Sequence, residues 1–437
     1  MSVQNNYTLL KENIEKKKAR VCVVGMGYVG LPLAVALAHK GFYVYGLDSN
    51  ASRIKKLKSA QSYIVDVDPQ EVVRLIKNKT FSPTTDTHAL KDSDVIIICV
   101  PTPLRKVKVP DISYVVKASK MIAHHLRRAQ LIILESTSFP TTTREVVLPN
   151  LMKSNLTPEE DFFLCFSPER VNPGSRRFPL TKIPKVIGGM SPRGGRLAKS
   201  LYSKIIKKIF LASCPEIAET SKLLENTFRL VNIALANEFA IVCSKLGISV
   251  WEVIDAAATK PFGFMPFYPG PGTGGHCIPC DPLYLSWKAK KLGFSTRMID
   301  LASQVNHCMP HYVVQRVSSV IKAQGTSLNK ADILILGVTY KKNVKDLRES
   351  PALDLIEELR RRGAHVDYFD PLIPYLKVGG IDSKRIALTK RALRRYTCVI
   401  LVTDHTSLDY SFIQSHARLI FDTRRVYRKR YDNVRML

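Results

Sequence analysis

The first structural signal in the sequence lies in residues 19–48, "ARVCVVGMGYVGLPLAVALAHKGFYVYGLD". The stretch starts with an apolar, β-branched run and turns through three closely spaced glycines. It continues with helical spacing of apolar residues as far as Gly41, and a second apolar run leads up to Asp48. Strand, turn, helix and strand in this order predict a βαβ unit with two parallel strands.

Gly25, Gly27 and Gly30 form a G-x-G-x-x-G pattern directly after the predicted first strand. In this context the pattern indicates a dinucleotide site. The first glycine permits a tight turn, the second lets a pyrophosphate approach the backbone, and the third lets helix and strand pack closely. Asp48 ends the second predicted strand, where a carboxylate binds the ribose hydroxyls and repels a 2′-phosphate. We therefore expect NAD rather than NADP; a tight turn without a ligand is the alternative.

The same alternation of strands and helices covers both ends of the chain. Apolar runs predict strands at "DVIIICVP", "QLIILES" and "FFLCFSP", and the pattern restarts near residue 326 with "ADILILGVTYKKN" and "AHVDYFDP". Residues 216–258 have a long helical pattern with a break at Gly247. We predict two Rossmann-like, doubly wound α/β lobes joined by a central helical domain with a long spine helix. The expected divisions are an N-terminal extension with a short amphipathic helix (1–17), an NAD-binding domain (18–212), a central helical domain that contains the Cys277 loop (213–325) and a C-terminal Rossmann-like lobe (326–437).

The amino-acid composition of the chain indicates which kinds of partner and cellular location to expect. Lys and Arg number 66 against 37 Asp and Glu, which gives a formal charge of +29 and favours anionic partners. The basic residues are spread along the chain without an RNA- or DNA-binding signature, so we expect no nucleic-acid partner. No apolar run approaches about 18 residues and the N-terminus lacks a signal-peptide layout, which predicts a cytoplasmic protein without membrane insertion. Most of the nine cysteines sit in apolar runs, so no disulfide framework is expected.

Cys277 and Cys280 form a C-x-x-C pair beside His276, a pattern that three kinds of site use. A structural zinc site needs four ligands, and the sequence has no second C-x-x-C, so we expect no metal. A dithiol redox pair lies at a helix N-terminus after a strand, whereas Pro279 and Pro282 predict a loop. We therefore predict one nucleophilic thiol, Cys277, with Cys280 as a buried neighbour outside the chemistry.

Several longer motifs occur in one order: "CVPTP", "ESTSFPTTT", "FSPERVNPG", "SKLLENTF", "GPGTGGHCIPCDPLYL" and "GVTYKKNVKDLRESPA". With the N-terminal glycines, they make the chain resemble the UDP-glucose/GDP-mannose dehydrogenase family over nearly its whole length. The stretch "FGFMPFYPGPGTGGHCIPCDPLYLSWKAK" most resembles members that oxidise UDP-N-acetylglucosamine at C6. The resemblance implies oxidation of the C6 alcohol of a UDP-sugar to a carboxylate, with two NAD in succession and one water. It also implies a role in surface polysaccharide biosynthesis, such as capsule or O-antigen.

The expected chemistry explains why a thiol is needed. A free aldehyde does not readily lose the second hydride, because its carbon carries no tetrahedral oxyanion. A thiolate that adds to the aldehyde forms a thiohemiacetal, which loses hydride to become a thioester, and water then releases the acid. Such a site needs a nucleophile, a group that stabilises the oxyanion and a base for the water.

The resemblance implies that the C-terminal lobe (326–437) binds the UDP-sugar, and it implies roles for particular positions. The catalytic residues would be Cys277 as nucleophile, Lys222 and Asn226 for the oxyanion, Asp281 and Glu169 for protons and water, and Thr137 for orientation. The cofactor contacts would be Gly25, Gly27, Tyr28, Val29, Gly30, Asp48, Arg53, Thr102, Thr137 and Arg348. The substrate contacts would be Glu169, Arg170, Lys222, Asn226, Phe264, Phe267, Tyr268, Gly274, Tyr340, Lys341 and Arg424.

Several alternatives stay open at the level of sequence. Lys222 and Asn226 share one helix face, which by itself is typical of a solvated surface. The same chemistry on UDP-N-acetylmannosamine, UDP-N-acetylgalactosamine or UDP-glucose is an alternative, and so is a non-catalytic nucleotide-binding scaffold. Thr141 stands where relatives usually have glycine. The long central helix favours a homodimer or higher homo-oligomer, with core packing inside one chain as the plain alternative.

Overall fold

The structure is a computed structural model that describes residues 3–59, 61–64, 67–105, 109–171 and 179–437, apart from the side chains of Val3 and Gln4. The chain divides into two compact units, and each is described by itself. The first is Met1–Glu225 with Trp287–Phe294, and the second is Asn226–Ser286 with Ser295–Leu437. The end of the "FSPERVNPG" motif, residues 172–174, lies outside the described residues.

The first unit contains a sheet of eight short strands: β1 (Arg20–Val24), β2 (Tyr43–Leu47), β3 (Phe81–Thr84), β4 (Val95–Ile98), β5 (Gln130–Leu134), β6 (Phe162–Phe166), β7 (Lys185–Gly189) and β8 (Ile209–Ala212). Their order is β3-β2-β1-β4-β5-β6-β7-β8. Neighbours are parallel except β6 and β7, which are antiparallel. The first six strands have the order of a dinucleotide-binding fold, with its switch point between β1 and β4.

Branched apolar residues form the strands that the sequence predicts. Every residue of β4, β5 and β6 is buried, because helices cover both faces of the sheet and leave no polar side. The apolar core on one face includes residues of β1, β2 and the helix Gly30–His39. A second apolar core lies on the other face of the sheet. The predicted parallel α/β lobe is therefore confirmed.

The helices of the first unit are α1 (Val3–Glu15), α2 (Gly30–His39), α3 (Ala51–Lys58), α4 (Pro69–Lys77), α5 (Ser113–His125), the single turn α6 (Leu148–Leu151) and α7 (Pro192–Tyr202). Three of them begin at a capping side chain that accepts a backbone N–H, namely Asn50 before α3, Asp68 before α4 and Ser191 before α7. Such caps satisfy donors that have no partner inside the helix.

Helix α1 confirms the short amphipathic helix expected at the N-terminus. Its Leu10 and Ile14 are buried in the same apolar core as α2 and α7, whereas Leu9 is exposed. The side-chain amide of Asn6 donates a hydrogen bond to the carbonyl oxygen of Glu160 at 3.1 Å. The N-terminal segment is thus a packed part of the first lobe.

The middle of the chain is helical, as the sequence predicts. The elements are α8 (Pro215–Leu246), α9 (Val250–Ala257), α10 (Cys277–Lys291) and α11 (Arg297–Ala323). The long pattern breaks at Gly247, whose φ of +71° lies in the left-handed region that ends helices. Both α8 and α10 contain residues of each compact unit.

Helix α8 is, within the described residues, the one helix long and apolar enough to cross a membrane by length and composition alone. Its sequence has no continuous apolar run of this length, because polar residues such as Asn232, Asn237 and Glu238 interrupt it. The buried side of α8 carries Lys222, Asn226 and Asn237. Core helices of globular proteins meet the same criterion, so the finding by itself assigns no membrane.

The C-terminal lobe is built on five parallel strands: β9 (Asp332–Leu336), β10 (His365–Phe369), β13 (Cys398–Leu401), β14 (Ile420–Asp422) and β15 (Val434–Met436). Their order, β10-β9-β13-β14-β15, is a second doubly wound arrangement. A separate hairpin joins β11 (Tyr375–Val378) and β12 (Ile381–Lys384), and the helices are α12 (Pro351–Arg361), α13 (Lys390–Arg395) and α14 (Tyr410–His416). The predicted fold class, two Rossmann-like lobes with a helical centre, is confirmed.

Candidate active site

The turn after β1 has the shape that its glycines predict. Gly25 has a φ of +99°, and a Cβ there would lie 2.6 Å from the carbonyl oxygen of Cys99. A Cβ at Gly30 would lie 1.9 Å from the carbonyl oxygen of Gly25, so a larger residue does not fit where α2 begins. A Cβ at Gly27 would meet no atom within 4 Å. The backbone there is open to an approaching group.

Asp48 follows β2 and is buried beside this turn. Its Oδ2 accepts the N–H of Met26 at 2.9 Å, and its Oδ1 accepts the N–H of Asn50 at 2.8 Å. Nη1 of Arg53 lies 3.3 Å from Oδ2. The carboxylate is thus held in place, at the position that contacts the ribose in dinucleotide sites.

The open glycine turn, the N-terminus of α2 and the fixed carboxylate fit the pyrophosphate and ribose of NAD. Tyr28 is exposed in the turn, and Val29 is partly buried. Thr102 and Thr137 follow the carboxyl ends of the neighbouring strands β4 and β5. In open α/β sheets ligands bind at this edge, close to the switch point. The predicted cofactor contacts of the first unit therefore belong to one edge of its sheet.

Glu169 lies after β6, where its two carboxylate oxygens have different surroundings. Oε1 accepts the N–H groups of Arg170 and Val171, each at 2.6 Å. Oε2 lies 3.8 Å from Nζ of Lys185. The guanidinium of Arg170 is engaged in an ion pair with Glu225. Of the residues that the resemblance implies, Glu169 is the one held beside a buried lysine.

Lys185, Glu135 and Tyr202 form a buried polar cluster that the sequence analysis missed. Nζ of Lys185 lies 2.8 Å from Oε1 of Glu135, which also accepts the hydroxyl of Tyr202. Burial raises the pKa of Glu135. For Lys185 burial works against the charge, but Glu135 and Glu169 outweigh it and raise its pKa. The sequence signal that could have revealed this cluster is a charged residue at one end of each of the apolar runs "QLIILES" and "KVIGG".

Cys277 begins helix α10, which corrects the loop predicted there. Pro279 falls in the first turn, where backbone N–H groups have no helical partner. Pro282 lies inside the helix, at the cost of one hydrogen bond to the preceding turn. Cys277 is exposed. The amides and dipole of a helix N-terminus favour negative charge, so the position suits a thiolate.

Asp281 follows Cys277 by one turn of α10 and is buried. Nδ2 of Asn226 on α8 donates a hydrogen bond to Oδ2 of Asp281 at 2.6 Å. Beside this pair, apolar residues of α8 and α11 form a small core against which Ile278 and Leu285 of α10 pack: Leu230, Ala234, Ile299 and Ala302. The second unit thus brings together two residues that the resemblance implies for catalysis.

Lys222 and Asn226 lie one turn apart on α8, and both are buried. The solvated helix face that was left open as an alternative is therefore wrong. Buried lysine and asparagine side chains are costly unless they have a partner or a ligand. A pair of buried donors four residues apart can hold a developing oxyanion.

Cys280 is buried, as predicted, but on α10 rather than under a loop. Burial, followed by the charge of Asp281, raises its pKa to about 12, so it stays a neutral thiol near pH 7. The helix start removes the argument made above against a dithiol pair, and the neutral, buried Cys280 leaves Cys277 as the exposed thiol. Within the described residues, no group of three or more His, Cys, Asp or Glu could hold a metal ion.

The glycine-rich loop before α10 packs against the turn after β9. A Cβ at Gly274 would lie 2.8 Å from Cβ of Tyr340, and one at Gly275 would lie 2.6 Å from the Tyr340 ring. The N–H of Gly275 donates to the carbonyl oxygen of Arg348 at 3.0 Å. The guanidinium of Arg348 itself pairs with Asp346 at 2.7 Å. The glycines are therefore needed for this close approach.

Arg424 follows β14 and lies beside the same loop. A Cβ at Gly270 would be 2.7 Å from Nη1 of Arg424, and Nε donates to the carbonyl oxygen of Val402 at 2.8 Å. In the described part of the chain neither Nη nitrogen of Arg424 has a hydrogen-bond partner, and burial lowers its pKa. A fixed guanidinium of this kind suits a phosphate group. Lys341 is partly buried in the turn after β9.

Three aromatic residues named by the resemblance lie between α9 and α10. Phe264 and Tyr268 are 42% and 45% exposed. Tyr268 stacks on Trp251 with ring centroids 5.8 Å apart, and Phe267 packs edge-on against Phe228 at 5.6 Å. Rings that are half exposed and half supported leave a surface on which a ligand can pack.

Thr141, the departure noted in the sequence, has a φ of +79°. Its N–H donates to Oε2 of Glu219 at 2.6 Å, and Oε1 of Glu219 accepts both the N–H and the hydroxyl of Thr143. Glu219 is buried, and burial raises its pKa. A β-branched residue in the left-handed region is strained, which explains why glycine is usual there.

A second buried cluster that the sequence analysis missed supports the turn after β9. Oδ2 of Asp370 accepts the N–H groups of Val338 and Thr339 at 2.8 and 3.2 Å. Nδ1 of His405 accepts the N–H of Asn343, so Nε2 carries the proton and donates to Asp370 at 3.0 Å. No motif connects these positions, since they are distant in sequence. The cluster fixes the segment that carries Tyr340 and Lys341.

Models of one protein family match the N-terminal, central and C-terminal parts of the chain. The NAD-binding domain of the UDP-glucose/GDP-mannose dehydrogenase family matches residues 19–206. The central domain of that family matches residues 216–308, and its UDP-binding domain matches residues 334–429.

Characterised relatives act on related sugars. The chain is 40% identical over 359 residues to UDP-N-acetyl-D-glucosamine 6-dehydrogenase of Pseudomonas aeruginosa, covering 82% of this chain and 84% of the relative. It is 33% identical over 420 residues to UDP-N-acetyl-D-mannosamine dehydrogenase of Methanococcus maripaludis, covering 93% of each. It is 34% identical over 415 residues to NDP-N-acetyl-D-galactosaminuronic acid dehydrogenase of Ralstonia solanacearum, covering 92% and 95%.

Solved structures share the fold over nearly the whole chain. UDP-D-ManNAc dehydrogenase of Pyrococcus horikoshii aligns with a TM-score of 0.87 and 32% identity, covering 95% of this chain and 98% of that one. The UDP-N-acetyl-mannosamine dehydrogenase Cap5O of Staphylococcus aureus aligns with a TM-score of 0.83 and 32% identity, covering 96% and 98%. The chain therefore has the architecture of a nucleotide-sugar dehydrogenase.

Proposed function

Because this chain belongs to the UDP-glucose/GDP-mannose dehydrogenase family, we propose that it oxidises C6 of a UDP-N-acetylhexosamine, UDP-N-acetylglucosamine first, to the carboxylate. Family membership makes it a nucleotide-sugar dehydrogenase that binds NAD. The observation that carries the proposal is the buried hydrogen bond between Asn226 and Asp281, one turn after Cys277. A buried carboxylate and amide next to an exposed thiol support catalysis over a binding scaffold.

The relatives support an N-acetylated sugar. The names of three of them specify N-acetylglucosamine, N-acetylmannosamine and N-acetylgalactosaminuronic acid, which share the N-acetyl group. The corresponding N-acetylhexosamines differ in stereochemistry at C2 or C4. The 40% identity to the P. aeruginosa enzyme favours the gluco configuration.

The proposed chemistry gives each catalytic side chain one task. The thiolate of Cys277 adds to the C6 aldehyde, and the resulting oxyanion is stabilised by Lys222 and Asn226. After the second oxidation the product is a thioester on Cys277, which water hydrolyses. Asp281 and Glu169 accept and return protons in these steps. Thr137 would orient the reacting groups.

Arg424 is proposed as the main contact for the substrate diphosphate. Its terminal nitrogens are free for phosphate oxygens, and Lys341 adds a second cation from the turn after β9. Tyr340 and Gly274 would shape the pocket, while Phe264, Phe267, Tyr268 and Arg170 would contact the sugar. Arg348 is proposed to contact the cofactor.

NAD, when bound, accepts the hydride in each oxidation. The open backbone at Gly27 and the N-terminus of α2 would hold its pyrophosphate. Asp48 would hold the ribose hydroxyls, with Arg53 keeping the carboxylate in place. Thr102 would add a contact at the end of β4. These assignments rest on the shape of the glycine turn.

Three further features belong to the proposal. We place the enzyme in the cytoplasm, in the biosynthesis of a surface polysaccharide such as capsule or O-antigen. We propose that it forms a homodimer or higher homo-oligomer through α8. No metal, nucleic acid or membrane insertion is needed for this function.

The test is NADH formation by the full chain with UDP-N-acetylglucosamine, its C2 and C4 epimers, and UDP-glucose, with NAD or NADP as acceptor. We expect kcat/KM to be highest for an N-acetylhexosamine, two NADH per sugar, and little activity with NADP. Cys277→Ser should stop product formation while NAD still binds.

Three outcomes would contradict the proposal. A clear preference for UDP-glucose would exclude the N-acetylhexosamine assignment. Equal efficiency with NADP would exclude the role of Asp48 at the ribose. Binding of UDP-sugars without NADH formation would favour the non-catalytic scaffold.

A further inference from the structure

The buried cluster in the first unit places one ammonium group between two carboxylates. Nζ of Lys185 lies 2.8 Å from Oε1 of Glu135 and 3.8 Å from Oε2 of Glu169. The Lys185 side chain is 6% exposed, and that of Glu135 is fully buried. Burying a lysine between two acids costs desolvation free energy, which an ion pair exposed to solvent does not lose. Its placement therefore needs a reason beyond stability.

The carboxylate of Glu169 is held by one oxygen only. Oε1 accepts two backbone N–H groups, from Arg170 and Val171, each at 2.6 Å. Oε2 is buried, and in the described part of the chain it has no hydrogen-bond partner. At 3.8 Å the ammonium of Lys185 attracts Oε2 without a direct hydrogen bond to it. The carboxylate is thus oriented while one oxygen stays able to take a proton.

The other groups around Lys185 keep it charged and in place. The hydroxyl of Tyr202 donates to Glu135, and Nζ of Lys185 lies 4.9 Å from the centre of the Tyr202 ring. The acids raise the pKa of Lys185 although burial opposes them. The thiol of Cys99 is the further titratable group near the cluster, and burial raises its pKa well above the usual value.

We propose that Lys185 is a positioning residue that keeps Glu169 oriented as the base for hydrolysis of the thioester. The inference rests on the proposed function. In the step, water attacks the thioester carbonyl carbon, the C–S bond breaks and the Cys277 thiolate leaves. One proton of the water passes to Oε2 of Glu169. The redox state does not change, so no oxidant is involved.

The test compares Glu135→Gln with the double variant Glu135→Gln/Lys185→Met in the UDP-sugar assay. The single variant keeps the ammonium group of Lys185 beside Glu169. The double variant removes this cation, and because Glu135 is replaced as well, no unpaired carboxylate stays buried at that position. Lys185→Arg tests rescue by another cation. Lys182→Met, an exposed lysine just before β7, is the matched control.

We expect kcat of the double variant to fall about 10²-fold below that of the single variant. KM for the UDP-sugar should change little, because the loss falls on hydrolysis, a step after the sugar has bound. Mass spectrometry should show a sugar adduct on Cys277 accumulating during turnover. Lys185→Arg should keep kcat near that of the wild type.

The outcomes separate the inference from the function on which it rests. If the wild type forms NADH but the two variants have the same kcat and accumulate no adduct, the role of Lys185 is wrong and the proposed function stands. If the wild type oxidises no UDP-sugar, both are wrong. Lys185→Met alone is left out of the comparison, because it would leave Glu135 as an unpaired buried charge.

Discussion

Thr141 has a backbone conformation that a β-branched residue rarely adopts, with φ at +79°. The left-handed region costs such a residue about 1–2 kcal/mol. Glycine avoids this cost, although it loses more backbone entropy on folding. We predict that Thr141→Gly raises the free energy of unfolding by about 1 kcal/mol, measured by thermal or urea unfolding.

Thr142 provides the matched control for this prediction. Its φ of −56° is right-handed, and its hydroxyl donates to the carbonyl oxygen of Phe139 at 2.6 Å. Thr142→Gly should therefore lower the free energy of unfolding by about 1 kcal/mol or more. If both glycine variants were destabilised alike, strain at Thr141 would not be the reason that glycine is usual there.

The two cysteines of the C-x-x-C pair should respond differently to substitution. Cys280 is buried with a pKa of about 12, so it is protonated at neutral pH and cannot act as a nucleophile. We predict that Cys280→Ala keeps most of the dehydrogenase activity, whereas Cys277→Ser lowers kcat by about 10³-fold or more. The measurement is NADH formation, with NAD binding and zinc content determined on each variant.

This prediction has a clear contrary result. Equal inactivity of both variants, or one zinc per chain that either substitution removes, would mean that the pair acts as a unit. The exposed Cys308 offers a control, since Cys308→Ala should leave activity unchanged.

At the residue scale, motifs pointed to the candidate site residues and missed the buried polar clusters behind them. Gly25 and Gly30 could be assigned from their spacing in the sequence. The structure agrees with this assignment, because a Cβ at either position would overlap backbone atoms. Lys185 could not, because its partners Glu135 and Glu169 come from other strands of the sheet. Side chains that come from different strands and contact each other in the fold share no local motif. The signal that remains in the sequence is a charged residue at the end of an apolar strand.

At the scale of elements, α10 shows where local propensity misleads. Pro279 and Pro282 suggested a loop, but Pro279 lies in the first turn, where proline is tolerated, and Pro282 alone of the two lies inside the helix. The apolar side of α10 packs through Ile278 and Leu285, and this packing outweighs one lost hydrogen bond. The sequence therefore predicted the longer α8 and its break correctly and misplaced the helix start at Cys277.

The Asp370–His405 cluster links the strand ends of the C-terminal lobe and should make its stability depend on pH. Burial raises the pKa of Asp370, but the hydrogen bond from His405 and the backbone N–H groups outweigh it and lower the pKa below its ordinary 3.8. A depressed carboxyl pKa contributes stability above pH 3.8, which is lost as the pH falls through the folded-state value.

We therefore predict that Asp370→Asn lowers the free energy of unfolding by about 1–3 kcal/mol at neutral pH. The difference from the wild type should shrink as the pH falls below 3.8. Denaturant unfolding at several pH values measures both effects. Asp382→Asn, on the exposed hairpin, is the control and should change stability little. A difference that stayed constant across pH would exclude ionised Asp370 as the stabilising form.

At the scale of the whole molecule, the two lobes use the same strand end in different ways. Asp48 and Asp370 each follow the second strand of their sheet and accept an N–H from the turn after the first strand. Asp48 faces an open glycine turn, whereas Asp370 is covered by His405. Both lobes were predictable from strand patterns. The sugar that the enzyme accepts was not, because relatives with the same family fold are named for different N-acetylated sugars.

Helix α8 carries an exposed apolar stripe that core packing within one chain does not explain. Phe228, Leu235, Phe239, Val242 and Leu246 are each between 46% and 65% exposed. They are spaced by seven, four, three and four residues, which keeps them on one face of the helix. An exposed apolar face of this kind is typical of an interface. A second copy of the chain is the occupant that we predict.

We predict that the wild-type protein is a dimer or larger by light scattering and that Leu235→Glu/Phe239→Glu makes it a monomer. Charges in the middle of the stripe would be buried without partners in the assembly, which is strongly unfavourable. Circular dichroism should show that the variant keeps its helices. Arg229→Glu, an exposed charge reversal on α8 outside the stripe, should leave the assembly intact. A monomeric wild type, or a variant that stays associated, would show that the stripe has another role.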